Sequence, residues 1–248
     1  MACNKESISY AQIQSLIAIM KSRGYIVYKE PNRLNIVGVR NPSPRPEKFD
    51  DNFYVFYKNN DNKWVGYKYT GTTDPSTSYL NKGGFSDSTS GIAIVPQGQY
   101  VDTYAIGKHN GKYDALRQVR PFCVYRDYNR DDILNFNVED KVCGDFGINI
   151  HRAKSGGADD GNGNTENVGI YSAGCQVFNN YYCFEEFMDL ARTHANLYGN
   201  SFTYTLLDKS LRNKFLVKRS ILVAAVGLGV FLTIFGIKKL KKWKKEQK

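Results

Sequence analysis

The five cysteines of this 248-residue chain form no CxxC pair and no other spacing that holds a metal. An odd count, in a chain that opens without a secretory signal, argues against a disulfide framework and favours a free thiol. Met1 to Arg23 has neither a long apolar run nor a small-residue cleavage site. It reads instead as one amphipathic helix with Ile13, Leu16, Ile17, Ile19 and Met20 on its apolar face, opened by Ser7 or Ser9 and closed by Gly24. Histidine is scarce, three in all, and no internal repeat is present.

A net basic excess is also lacking where a folded domain is expected. From Lys209 onward twelve Lys/Arg face one acid, Glu246, so this segment carries +11 of a chain total of +10. Residues 1–208 therefore sum to −1, which excludes a specific nucleic-acid face on the folded part. One long uncharged run exists, Ile221 to Ile237, flanked by Lys-Arg-Ser and by a tail with seven lysines and Trp243. Seventeen residues is the short end of a membrane-spanning helix, and flanking lysines extend it by snorkelling. The expected organisation is an N-terminal helical region over 1–30, a catalytic or binding domain over 31–208, a basic linker over 209–220, a transmembrane helix over 221–237 and a Lys-rich tail over 238–248. The tail would meet anionic lipid or packaged nucleic acid. The positive-inside tendency puts this tail in the cytoplasm and the domain outside, whereas tail-anchored insertion does the reverse; the residues leave both open.

Between these ends the pattern is mainly β (α+β), rich in Tyr and Phe. Strands are expected over Arg33–Asn41, in two runs of Phe53–Thr73 around the turn Asn59-Asn60-Asp61-Asn62, over Gly91–Tyr100, in VDTYAIG, in PFCVYR and over Phe146–His151. A helix is expected over Phe184–His194 and a closing strand over Ser201–Leu207.

Within VGIYSAGCQVF, residues 168–178, a strand-like run halts at Ser172-Ala173-Gly174 and presents Cys175. A buried core thiol is one reading. The other is a nucleophile on a turn, with His151, at the end of an apolar strand, as its base. Gly174 removes bulk and permits a tight turn, so that nearby amides can face a developing oxyanion. His109, in KHNGK, and Tyr113 either border the substrate groove or form a plain hairpin tip; His194 ends a helix. Asp127–Asp132 alternates acids and an amide as a calcium loop does, but Asp132 and Val138 stand where such a loop needs Gly and Glu. No metal or other cofactor is expected.

I-N-I-H-R, a glycine-rich loop and then S-A-G-C-Q resemble the signature of the L,D-transpeptidase catalytic-domain family: an I-x-x-H strand, a loop, and S/T-H-G-C followed by Arg or Asn. KWVGYKYTGTTDP and GIAIVPQGQY resemble upstream strands of the same family, in the same order, so the resemblance covers about Val55 to Phe178. It implies a β-sandwich-like catalytic domain in which Cys175 attacks a peptide carbonyl of a peptidoglycan stem. His151 is then the base and later the acid, and Ser172 orients the histidine or the turn. The Gly174 and Cys175 amides form the oxyanion hole. Two departures stand out: Ala173 replaces the family's second histidine, and Gln176 replaces its Arg or Asn. Arg152 and Gln176 are the substrate-binding candidates, Arg152 as a partner for a carboxylate. The function implied is a membrane-anchored peptidoglycan hydrolase or transpeptidase of a divergent phage type, seated in a viral or host inner membrane. The alternative is an inactive wall-binding or structural membrane protein.

Overall fold

A computed structural model describes residues 3, 5–42, 44–81, 91–129, 131–136, 141–154 and 161–208. The expected linker, membrane helix and tail lie outside the described residues. Among those described, no helix is long and apolar enough to cross a membrane.

Ser9 caps the first helix, α1 (Tyr10–Ser22), through a capping box with Gln12, and Gly24 follows it at φ +72°. The five apolar residues of its expected face are all buried. A two-residue strand β1 (Glu6–Ser7) precedes it. Next come β2 (Asn35–Arg40), β3 (Asp51–Lys58) and β4 (Trp64–Thr72). The Asn-rich turn joins β3 and β4 in continuous register from Asp51↔Gly71 to Lys58↔Trp64.

A short helix α2 (Thr77–Leu80) leads to β5 (Ile92–Ile94), β6 (Gly98–His109), β7 (Tyr113–Gln118), β8 (Phe122–Asp127) and β9 (Lys141–Gly144). The chain ends its described part with β10 (Ile150–Arg152), β11 (Gln176–Phe178), α3 (Tyr181–Tyr198) and β12 (Phe202–Asp208).

The sheet closes on itself. Its order is β4-β11-β10-β7-β6-β12-β2-β3, and β3 pairs back to β4, giving an eight-stranded barrel with β1 added beside β4. The domain is thus mainly β as expected, but a barrel rather than an open sandwich. Closure needs the parallel pairs β12 with β2 and β10 with β11, contacts far apart in sequence that no local alternation encodes. Gly71 is needed where β4 meets β11, because a Cβ there would sit 2.5 Å from the Val177 carbonyl oxygen. Ring contacts bind the layers: Phe178 stacks on Phe53 at 4.6 Å and on Phe187 of α3 at 4.9 Å. Such pairs contribute roughly 0.5–1.5 kcal/mol each beyond burial.

Two expected strands are redrawn. Gly91–Tyr100 splits around Pro96, which has no N–H for a ladder. β5 joins β8 and β9 in a separate three-stranded sheet, while β6 belongs to the barrel. The Phe146–His151 run is strand only from Ile150 onward.

The thiol reading is corrected as well. Cys3 is bonded to Cys183, tying the N-terminus to α3, and Cys123 to Cys143, directly opposite each other on β8 and β9. Four of the five cysteines are paired, and pairing depends on strand register and helix docking, which spacing alone does not reveal. Cys175 is the free one.

Candidate active site

Val168–Tyr171 is not strand. Gly169–Tyr171 is a 3-10 turn, and the chain bends through Ser172-Ala173-Gly174 into β11. Buried Ser172 organises that bend. Its Oγ lies 2.8 Å from both the Asp74 and the Cys175 carbonyl oxygens, and it accepts from the Gly174 N–H at 3.3 Å. The Ser172 carbonyl in turn accepts from the Ser76 N–H. Gly174 sits at φ +118°, a conformation that L side chains rarely adopt, and an added Cβ would lie 2.5 Å from the Ala93 carbonyl oxygen. Ala173 packs against the small cluster of Leu80, Ile92, Ile94 and Leu134.

The parallel pairing of β10 and β11 sets Ile150 against Gln176, so Asn149 is the neighbour of Cys175. The Asn149 backbone N–H donates to Cys175 Sγ at 3.4 Å, and the thiol faces the Gly147 carbonyl at 3.7 Å. His151 Nδ1 lies 2.7 Å from the Arg152 carbonyl oxygen. A carbonyl only accepts, so the proton is on Nδ1 and Nε2 keeps a free lone pair. The Tyr113 hydroxyl donates to the same carbonyl at 3.2 Å. Among the described residues no hydrogen bond joins the thiol to the His151 ring.

Burial sets the charge states. It holds His151 down at about 3, helped by the neighbouring His109 and opposed by the Arg152 carbonyl bond. It pushes the Cys175 thiol up to about 11, opposed by the Asn149 N–H. The resting pair is neutral sulfhydryl and neutral imidazole, an arrangement suited to base-assisted attack rather than a standing ion pair.

The remaining expected residues take other places. Of the two oxyanion candidates, the Gly174 N–H is used by Ser172, and the Cys175 N–H has no partner among the described residues. Gln176 is fully buried: its amide reaches the Thr73 and Gly174 carbonyls, and its oxygen accepts from the Tyr204 hydroxyl at 2.7 Å. Its hydrogen bonds brace the barrel from within. Arg152 is covered rather than open. Its guanidinium stacks 3.9 Å from the Tyr113 ring centroid, also faces Tyr181, and lies near Glu185.

Around Asp127–Asp132, Asp127 accepts from Asn135, and Asp131 accepts from Asn129 and Ile133. The carboxylates serve the loop itself. Among the described residues no group of three His, Cys, Asp or Glu gathers as a metal site.

One residue at the site, Asn149, stands outside the expected set, and His109, expected at a groove border or a hairpin tip, joins it there. His109 stacks on His151, and Asn149 bridges His109 and the thiol. Asn149 lies just before β10, two residues from His151, and no local signal in the sequence singled it out. Two surface clefts, one lined by Arg40, Tyr125, Phe136 and Asp208 and one by Lys68, Asn179 and Asn180, contain neither Cys175 nor His151.

No family model, no curated protein and no solved structure matches this chain.

Proposed function

We propose that the chain is a membrane-anchored cysteine enzyme that acts on peptidoglycan stem peptides through an acyl-enzyme, with the L,D-transpeptidase-like roles that its motifs suggest. One observation carries the reading. The single thiol left out of disulfides stands at the head of the strand paired with the histidine strand, and that histidine is fixed in the tautomer with a free Nε2. In the reaction the Cys175 proton passes to Nε2, sulfur bonds to the carbonyl carbon and the C–N bond breaks. His151 returns the proton to the departing amine. An amine or water then takes the acyl group. The Cys175 amide is the oxyanion donor at hand.

The two disulfides support a domain that matures on an oxidising side of the membrane. With the Lys-rich tail inside, this favours the domain-out arrangement in a host inner membrane or a viral membrane. A phage-type wall-opening role fits that placement.

The test is incubation of the full-length chain in detergent with purified peptidoglycan fragments, for wild type and Cys175→Ala, read by mass spectrometry. Loss or exchange of a stem residue only with the thiol present supports the enzyme; added water or added amine then names hydrolysis or transpeptidation. A second reading, an inert wall-binding protein, draws on the high thiol pKa and the missing thiol–imidazole bond. It predicts intact fragments with binding retained.

A further inference from the structure

The β6–β7 hairpin carries His109 at its mouth, opposite Tyr113. Asn110 and Gly111 both take positive φ, 48° and 71°, and the Lys112 N–H returns to the His109 carbonyl. Three residues, Asn110 to Lys112, thus join the paired His109 and Tyr113 in a tight turn. The tip could leave its histidine in solvent. Instead the His109 ring lies 4.1 Å from the His151 ring, centroid to centroid, at an interplanar angle of 21°.

The ring is anchored from below. The Asn149 side-chain amide lies 3.1 Å from His109 Nδ1, while Asn149 Oδ1 accepts from the Gln118 N–H at 3.0 Å. The Asn149 backbone meanwhile holds Cys175 Sγ and accepts from the Gln176 N–H. One asparagine therefore ties the stacked imidazole, the thiol and the barrel strand together.

We propose that His109 is a positioning residue for the Cys175–His151 pair: anchored by Asn149, its imidazole covers one face of the His151 ring and fixes the plane in which that ring meets the thiol. The inference rests on reading Cys175 and His151 as nucleophile and base. Two stacked imidazoles do not both accept a proton at low cost, and the groups facing them add to this. Burial, then Arg117 from β7 and Arg152 from β10, disfavour positive charge at His109, while Tyr113 and Cys175 are neutral neighbours. His109 thereby also keeps His151 in its proton-accepting form.

The experiment compares full-length wild type, His109→Ala and His109→Phe in detergent. One readout is turnover of peptidoglycan fragments against pH. The other is the titration of His151 followed by NMR on histidine-labelled protein. His109→Ala is expected to lower kcat about 10- to 100-fold, the scale seen when a partner that orients a working histidine is lost, with KM little changed. The acid limb of the rate profile and the His151 titration should both move to higher pH. His109→Phe restores the covering ring and should recover part of kcat. Wild-type kcat and an unmoved His151 titration in His109→Ala would overturn the inference. If wild type turns over no fragment while His151 still shifts in His109→Ala, the proposed reaction fails and the ring placement stands.

Discussion

His151 is buried and Cys175 half-buried, both rest uncharged, and this sets their pH behaviour. A thiol pushed up to about 11 is protonated at neutral pH, so its thiolate fraction rises about tenfold per pH unit up to that value. Alkylation of Cys175 by iodoacetamide should therefore be slow at pH 7 and climb steadily toward pH 10. A plateau near pH 7 would contradict the neutral pair. Gln176 yields a second expectation: Gln176→Leu strips the Tyr204 hydroxyl of its buried partner. Stability to denaturant should fall by about 1–3 kcal/mol, with KM of the folded protein unchanged; a raised KM would return Gln176 to the substrate. Cys175, His151, Ser172 and Gly174 were legible as a constellation because a glycine-flanked thiol and a strand-end histidine mark themselves locally. His109 was legible as a groove-border or hairpin-tip residue, but its contact with His151 was not, since that contact spans 42 positions of sequence.

Between elements, the ends of β2, β3 and β4 share a buried charge cluster. Arg40 pairs with Asp74 at 2.7 Å, and Asp51 accepts from Asn41 and from Thr73. Two carboxylates and one guanidinium leave a surplus negative charge in the interior. Burial pushes Asp74 up to about 7, opposed by Arg40 and reinforced by Asp51. The folded form thus holds a proton that the unfolded chain, at about 3.9, has released. Its stabilising effect is complete below that unfolded value and is lost as pH rises through about 7. His151 and His194 are shifted the opposite way, so their destabilising effect enters only as pH falls below about 6.5. Relative to Asp74→Asn, the melting temperature of wild type should fall between about pH 4 and pH 7 and run parallel above pH 7; equal slopes throughout would refute the assignment. The β3–β4 hairpin and both long helices were legible from alternation, Asn-rich turn chemistry and caps. The split at Pro96 and the late start of β10 were not, because apolar runs look alike whether a ladder partner exists or not.

At the scale of the molecule, barrel closure and the disulfides share one property: each joins residues distant in sequence. Cys3 and Cys183 are 180 positions apart, so their bond restricts the unfolded chain strongly; losing a native disulfide costs roughly 2–5 kcal/mol. Thiol titration of the denatured, unreduced protein should find one free sulfhydryl per chain, and reduction should lower the melting temperature. Five free thiols in protein isolated with its thiols trapped would argue for a reducing compartment instead. Sequence spacing pointed to free thiols, since pairing depends on the β8–β9 register and on where α3 docks. A nucleophilic Cys175 becomes acylated during turnover, and intact-mass spectrometry of the full-length chain, quenched in acid while a stem-peptide fragment is being turned over, detects that adduct. The expected result is an added mass equal to the acyl portion of the fragment, mapped to Cys175 and absent in Cys175→Ala. An unmodified chain throughout turnover, or the same adduct in Cys175→Ala, would contradict it.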